Sequence, residues 1–432
     1  MTAINIFWFR RDLRLEDNVG LYHALSSELP VLPIFIFDTD ILNKLPKDDA
    51  RVTFIHECIS RMNDQLAASQ KTIAQYHGNP IDIFETLASK YIINTVYTNH
   101  DYEPYAIQRD TAIEAFLKSK SVAFKTFKDQ VIFEKNDIVK KDGTPYVVYT
   151  PYMKQWKANF SRDMVASYDS LALINNVFND DALPSLSLAD IGFESSDQKI
   201  QDYKLSTDLI EHYEATRNFP ALDSTSKLGP HLRFGTVSVR AMVKKATQTK
   251  NEIFWQELIW REFFMQILWH FPHTTHKSFK PKYDRIEWRN NETEFKAWCE
   301  GKTGYPLVDA AMRQLNETGF MHNRVRMLVG SFLCKHLLID WRWGEAYFAE
   351  KLHDYEMASN VGNWQWVAGC GVDAAPYFRI FNPTSQIQKF DKDLAYIKRW
   401  APDFQELTYP QPIVDHKMAR ARCLEVYKSA LN

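Results

Sequence analysis

The sequence predicts an α/β domain followed, across a long connector, by an all-helical domain. Short apolar runs alternate with amphipathic stretches over the first 130 residues, and beyond about residue 205 helical periodicity takes over. Tryptophan is also uneven: of the 12 in the chain, only Trp8 and Trp156 precede residue 250. The expected boundaries are 1–130 for the α/β domain, 131–204 for the connector and 205–432 for the helical domain.

Each element has a local reason. "INIFWF", "VLPIFIF", "KTIAQYH" and "INTVYTN" are continuous apolar or β-branched runs, as buried parallel strands are when both sheet faces are covered. "RVTFIHECISRMNDQLAAS" and "IDIFETLASKY" between them read as the helices of a doubly wound parallel sheet. No GxGxxG follows the first strand, so a dinucleotide-binding reading of this half lacks its fingerprint. From about 160 to 205 the chain turns Ser/Asp-rich with weak periodicity, as a connector does. Later, "YPLVDAAMRQLNETG" has Pro306 at a first helical position and Gly319 as a stop, and "NRVRMLVGSFLCKHLL" continues as the next helix.

Composition excludes several classes. With 25% charged and 45% apolar residues the chain reads as globular, and no run approaches the roughly 18 apolar residues of a membrane span. No signal pattern opens the chain, so a cytoplasmic protein without membrane association is expected. Cys58, Cys299, Cys334, Cys370 and Cys423 are scattered, without CxxC or metal spacing, which suits reduced core thiols and no metal. A formal net charge of -2 provides no global attraction for nucleic acid, so such a partner needs a local basic patch. HExxH, P-loop and GxSxG motifs are absent.

Four constellations stay open on spacing alone. Glu257, Trp260, Arg261 and Phe264 share one helix face, as a Glu–Arg pair beside core aromatics or as one wall of a pocket for a flat ligand. Asn323, Arg326 and Met327 share another, with Arg324 turned away; these arginines suit a solvated face or a phosphate. "STSKLGP" reads as a helix cap or a phosphate cradle. In "DYEMASNVGNWQW", Trp364 and Trp366 point to nearly opposite sides of a helix, and Asp354, Glu356 and Asn360 are residues a dry core would not leave unpaired.

Taken together, "WFRRDLRLEDN", "STSKLGPHLRFGTVS", "ELIWREFF", "WCEGKTGYPLVDAAMRQLNETGFMHNRVRM" and "NWQWVAGCGVDAAPYFRIFNP" resemble the photolyase/cryptochrome flavoproteins, most closely the bacterial class I cyclobutane pyrimidine dimer photolyases. The resemblance covers nearly the whole chain. It implies a Rossmann-like N-terminal domain, a helical FAD-binding domain and light-driven repair of UV-damaged DNA, by a monomer without an obligate protein partner. Tyr213 and the turn of Thr225, Ser226, Lys227, Leu228 and Gly229 match the grip on the FAD phosphates, and Arg261, Arg326, Asp354, Glu356 and Asn360 match its ring site, Glu356 standing where aspartate is more usual. Asn360 matches the residue beside the reactive N5, where an uncharged amide suits an anionic reduced flavin. Trp364, Trp341 and Trp288 match an electron-transfer chain to the surface, with Trp343 as a branch. Glu257, Trp260, Asn323, Met327 and Trp366 match lesion contacts, and Arg217, Arg261, Arg324, Arg379 and Gln386 match DNA-strand contacts. Repair of a (6-4) photoproduct needs histidines on the lesion-facing helix, where this chain has Asn323 and Met327. A second, antenna chromophore is implied in the α/β domain. Tyr105 and Ala106 replace the Asn-Glu pair of folate-binding relatives, leaving a deazaflavin or a flavin ahead of folate, or none. The other reading is a cryptochrome-type photoreceptor; Asn360, where plant-type receptors have an acid, and the lack of a C-terminal extension after "LEVYKSALN" favour repair.

Overall fold

The computed structural model describes residues 2–180 and 182–432. Five parallel strands form one sheet: β1 (Ala3–Phe9), β2 (Val31–Asp38), β3 (Ala74–Gly78), β4 (Ile92–Asn99) and β5 (Ala123–Phe127), in the order β3-β2-β1-β4-β5. Helices α1 (Val19–Leu25), α2 (Ala50–Ala67), α3 (Pro80–Lys90) and α4 (Pro104–Ser119) connect them. Strand order reverses at β1, so the sheet is doubly wound. Alternation within β1 feeds both faces: Phe7 and Phe9 enter the core that holds α1 and α2, while Ile4, Ile6 and Trp8 enter the one that holds α3 and α4. The fifth strand has no apolar run to reveal it, because β5 is an edge strand whose residues are mostly exposed.

The remaining chain is helical: α5 (Tyr149–Asn159), α6 (Thr207–Thr216), α7 (Ile253–His270), α8 (Pro306–Thr318), α9 (Asn323–Ser331), α10 (Trp341–Lys351), α11 (Met357–Ala368) and α12 (His416–Leu431) position the features below. α8 starts at Pro306 and stops at Gly319, whose φ is +62°; a Cβ there would also meet the His353 ring at 2.1 Å. The helix expected to run on from Asn323 stops at Ser331. Phe332–Leu337 form a π-helical turn, all six side chains buried, which Leu338 closes at φ +54°.

Contacts divide the chain into two compact units, 1–134 with 159–203 and 228–248, and 135–158 with 204–227 and 249–432. This differs from cuts at 130 and 204, for two reasons of packing. Within the helical unit, α5 lays Tyr149, Tyr152 and Trp156 on α7, Tyr152 lying 5.2 Å from Phe263 and the Trp156 indole donating to Glu262 at 2.5 Å. Within the sheet unit, Phe234 accepts from Leu13 N at 3.0 Å and Arg240 binds Asp17 and Asp129. No helix among the described residues is long and apolar enough to cross a membrane.

Candidate functional site

A cleft holding about 600 Å³ of empty space, part of it open to solvent, lies in the helical unit. Asn323, Arg326 and Met327 enter it from α9, Phe348 from α10, and Asn360, Trp364 and Trp366 from α11, with Asp354 and Glu356 just before α11. Its size suits a bound cofactor. Arg324 does not line it, as its helix face predicts; it pairs with Asn218 and lies 4.3 Å over Phe390.

Polar groups meet at the cleft in pairs. Arg326 forks Asp354 at 3.2 and 2.9 Å and also donates to Met321 O at 2.7 Å. Arg261 on α7 forks Glu356 at 3.1 and 2.9 Å, so the extra methylene of Glu356 carries its carboxylate to the neighbouring helix. Asn360 spends both amide hydrogens on Glu345, 2.9 Å to the carboxylate and 3.1 Å to the main chain, which leaves Oδ1 as its acceptor. Burial pushes the Glu345 pKa up, against the bond from Asn360.

The two tryptophans of α11, expected on nearly opposite sides of the helix, both line the cleft and differ in depth instead. Trp364 is buried, 5.0 Å from Phe348 and 6.2 Å from Trp298, and Gly344 admits it: a Cβ there would lie 2.1 Å from the indole. Trp366 is half-buried and lines the cleft. Trp341 is buried with no hydrogen-bond partner for its indole N–H, whereas Trp288 and Trp343 are half-buried at the edge of the same core.

On α7, Glu257 is in an ion pair with Arg217, and burial raises its pKa against that cation. Trp260 stacks on Tyr149 with centroids 3.6 Å apart and planes 7° apart. Tyr213 meets Phe254 at 5.3 Å and Arg217 at 5.7 Å. In the 225–229 turn, Thr225 Oγ1 is buried without a partner, Ser226 O accepts from Lys204 N at 2.8 Å, and Lys227 has φ +54°. The Lys227 ammonium lies 3.7 Å over the Phe320 ring, and burial lowers its pKa. Leu228 and Gly229 follow at the start of a short helix, on the sheet unit's side of the division. Arg379 is exposed in the 371–382 loop, and Gln386 is half-buried in the helix after it.

Sequence reading missed Tyr149, Glu345 and Trp298. Each acts through space on a residue of another helix, and periodicity carries no such signal. The groups present fit FAD: aromatic walls with paired charges suit a flavin ring, and a hydroxyl-rich turn bearing Lys227 suits its phosphates.

Known proteins agree. Residues 254–408 match the family model described as the FAD binding domain of DNA photolyase, and residues 5–169 the model described as DNA photolyase. The deoxyribodipyrimidine photo-lyase of Synechococcus sp. is 35% identical across 99% of this chain and 97% of its own. The crystal structure of a bacterial class III photolyase from Agrobacterium tumefaciens superposes with a TM-score of 0.90 at 34% identity, over 100% of this chain and 98% of that one. An archaeal photolyase from Sulfolobus tokodaii, solved with two FAD molecules, gives 0.79 at 32%, over 99% and 100%. With both segments matched and relatives aligned end to end, this chain belongs to the DNA photolyase family.

Proposed function

We propose that this chain splits cyclobutane pyrimidine dimers in UV-damaged DNA under light, with FAD as its electron source. The observation that carries this is convergence: Asn323, Arg326, Met327, Asp354, Glu356, Asn360, Trp364 and Trp366 line one cleft. Bound and reduced, FAD supplies an electron on absorbing blue light, lent to the dimer and then returned. Arg326, Asp354, Arg261, Glu356 and Asn360 would hold its ring, and Tyr213 with the 225–229 turn its phosphates.

The chain's own groups do the rest. Flipping a base out of the stack costs on the order of a few kcal/mol, least for a damaged base. Stacking on Trp260 and Trp366 returns ~1–3 kcal/mol per base. Tyr149 stacks on Trp260 and Phe264 lies 5.5 Å from it at 30°, so the indole is held in place; the exposed part of its ring would meet the lesion. Arg217 pairs with Glu257 in the free protein; a DNA phosphate offers it a competing partner. With that cation drawn away the half-buried Glu257 carboxyl is easier to protonate, and in that form it would donate to a dimer carbonyl. Asn323 and Met327 supply a polar and an apolar contact, enough for a reaction without proton transfer. Trp364, Trp341 and Trp288 carry an electron inward, indole being oxidised and re-reduced without bond breaking. Arg324, Arg379 and Gln386 complete the strand footprint that a net charge of -2 calls for.

The second FAD of the Sulfolobus tokodaii protein supports another flavin, beside a deazaflavin, as the antenna of this chain. Action as a cytoplasmic monomer without a protein partner completes the reading.

The test mixes anaerobically reduced protein with UV-irradiated oligothymidylate and follows thymine absorbance under blue light. Light-dependent recovery is expected. No recovery from fully reduced protein would sink dimer repair.

A further inference from the structure

Lys335 sits in the π-helical turn, 1% exposed, and its ammonium donates to the main-chain carbonyl of Arg379 at 2.8 Å. Burying an ammonium costs several kcal/mol unless its partners are good, and one neutral carbonyl is a small return. The other groups that act on it are the buried thiols of Cys334 in its own turn, Cys370 after α11 and Cys423 on α12, and the Arg379 guanidinium, which repels it. Tyr427 of α12, packed with Cys423, turns its hydroxyl to Ala368 O at 3.0 Å. An apolar side chain would fill this space at lower cost. What the charge does reach is the 371–382 loop. Arg379 N donates to Pro376 O at 2.8 Å, so the residue is held from both sides of its backbone while the side chains of Phe378 and Arg379 stay exposed.

We propose that Lys335 is a positioning residue for DNA recognition: by holding the Arg379 carbonyl from beneath, it sets the direction in which the Arg379 guanidinium meets a phosphate. This rests on reading Arg379 as a strand contact. Burial lowers the Lys335 pKa to about 8, so the tether weakens within an accessible pH range.

The experiment measures affinity for UV-irradiated oligothymidylate in Lys335→Met, Arg379→Ala and the double variant. Each single change is expected to weaken binding about tenfold with the flavin spectrum unchanged, and the double variant to bind no more weakly than Arg379→Ala. Additive losses would overturn the proposal while leaving Arg379 in the footprint. An Arg379→Ala protein that binds like the parent would overturn both. Should Lys335→Met fail to fold, the parent and Arg379→Ala are compared between pH 7 and 9. The parent is expected to lose about threefold in affinity and the variant to stay flat; parallel profiles would overturn the proposal. A lysine with a merely structural role leaves affinity flat over this range and shows only in stability. Its folded pKa lies below the ordinary 10.5, so deprotonation favours the folded state and stability rises with pH between about 8 and 10.5.

Discussion

The two units treat buried charge in opposite ways. In the sheet unit Arg14, Asp17, Asp129 and Arg240 are each at most 9% exposed and bind one another in a closed set. Arg14 forks Asp129 at 2.8 and 2.7 Å, Arg240 reaches Asp129 and Asp17 at 2.9 Å each, and Ser238 donates to Asp17. In the helical unit Arg217–Glu257, Arg261–Glu356 and Arg326–Asp354 are three separate pairs, with side chains from 6% to 35% exposed. A closed set satisfies itself and holds strands and loops in place. Separate pairs beside a cleft can trade one partner for a ligand at modest cost. The first pattern marks structure and the second a site.

Breaking the closed set carries the largest expected effect. Asp129→Ala leaves the Arg14 and Arg240 guanidiniums buried together, and should cost ~3–5 kcal/mol in denaturant unfolding. Asp354→Ala should cost ~1 kcal/mol or less and instead deplete bound flavin, read from visible absorbance after gel filtration. Equal losses of stability would erase the contrast.

The next effect sharpens the comparison on the side of the site. Trp288→Phe should slow flavin photoreduction ~100-fold, about 2.7 kcal/mol in barrier, yet leave repair intact after chemical reduction. Unimpaired photoreduction would remove Trp288 from the route. Its half-buried position beside Tyr427, 6.0 Å between centroids, is where a route to the surface would end.

Acid separates Asp129 from Glu257 by sign. Burial works to raise the Asp129 pKa, but Arg14 and Arg240 outweigh it and hold it below the ordinary 3.8. Its stabilisation is therefore fully present above pH 3.8 and is lost as pH falls through the folded value. Glu257 runs the other way: burial raises its pKa above 4.5, so protonation on acidification relieves the folded state. Acid unfolding of Asp129→Asn should show a shallower loss of stability below pH 4 than the parent, and Glu257→Gln should not. Identical acid limbs in parent and Asp129→Asn would contradict the assignment.

The smallest effect concerns the footprint. Arg324→Ala should change stability by about 1 kcal/mol or less but reduce the slope of log affinity against log salt by about 1. An unchanged slope would take Arg324 out of the DNA contacts.

Much of this was legible beforehand, and the limits have a physical pattern. The four apolar strands and the Pro306 and Gly319 ends of α8 follow from local periodicity and capping, which act within a few residues. The family was legible because whole motifs, rather than spacings, carried the likeness. Of the cleft's lining, Asn323, Arg326, Met327, Asp354, Glu356, Asn360, Trp364 and Trp366 were legible beforehand, while Phe348, Leu352, Tyr355 and Val367 were not. By itself, then, the sequence determined the doubly wound sheet, the helical half and the chemical character of the site. Tertiary structure alone decided the rest, because it depends on groups that meet from 15 to 223 residues apart in the chain. The edge strand β5 gains its place by pairing with β4 and packing against α1 and α4. Segments 135–158 and 228–248 join units that their neighbours in sequence do not, through Trp156 on Glu262 and Arg240 on Asp17. Tyr149 behind Trp260, Glu345 on Asn360 and the buried Lys335 reaching Arg379 are through-space pairs whose partners no local pattern could name.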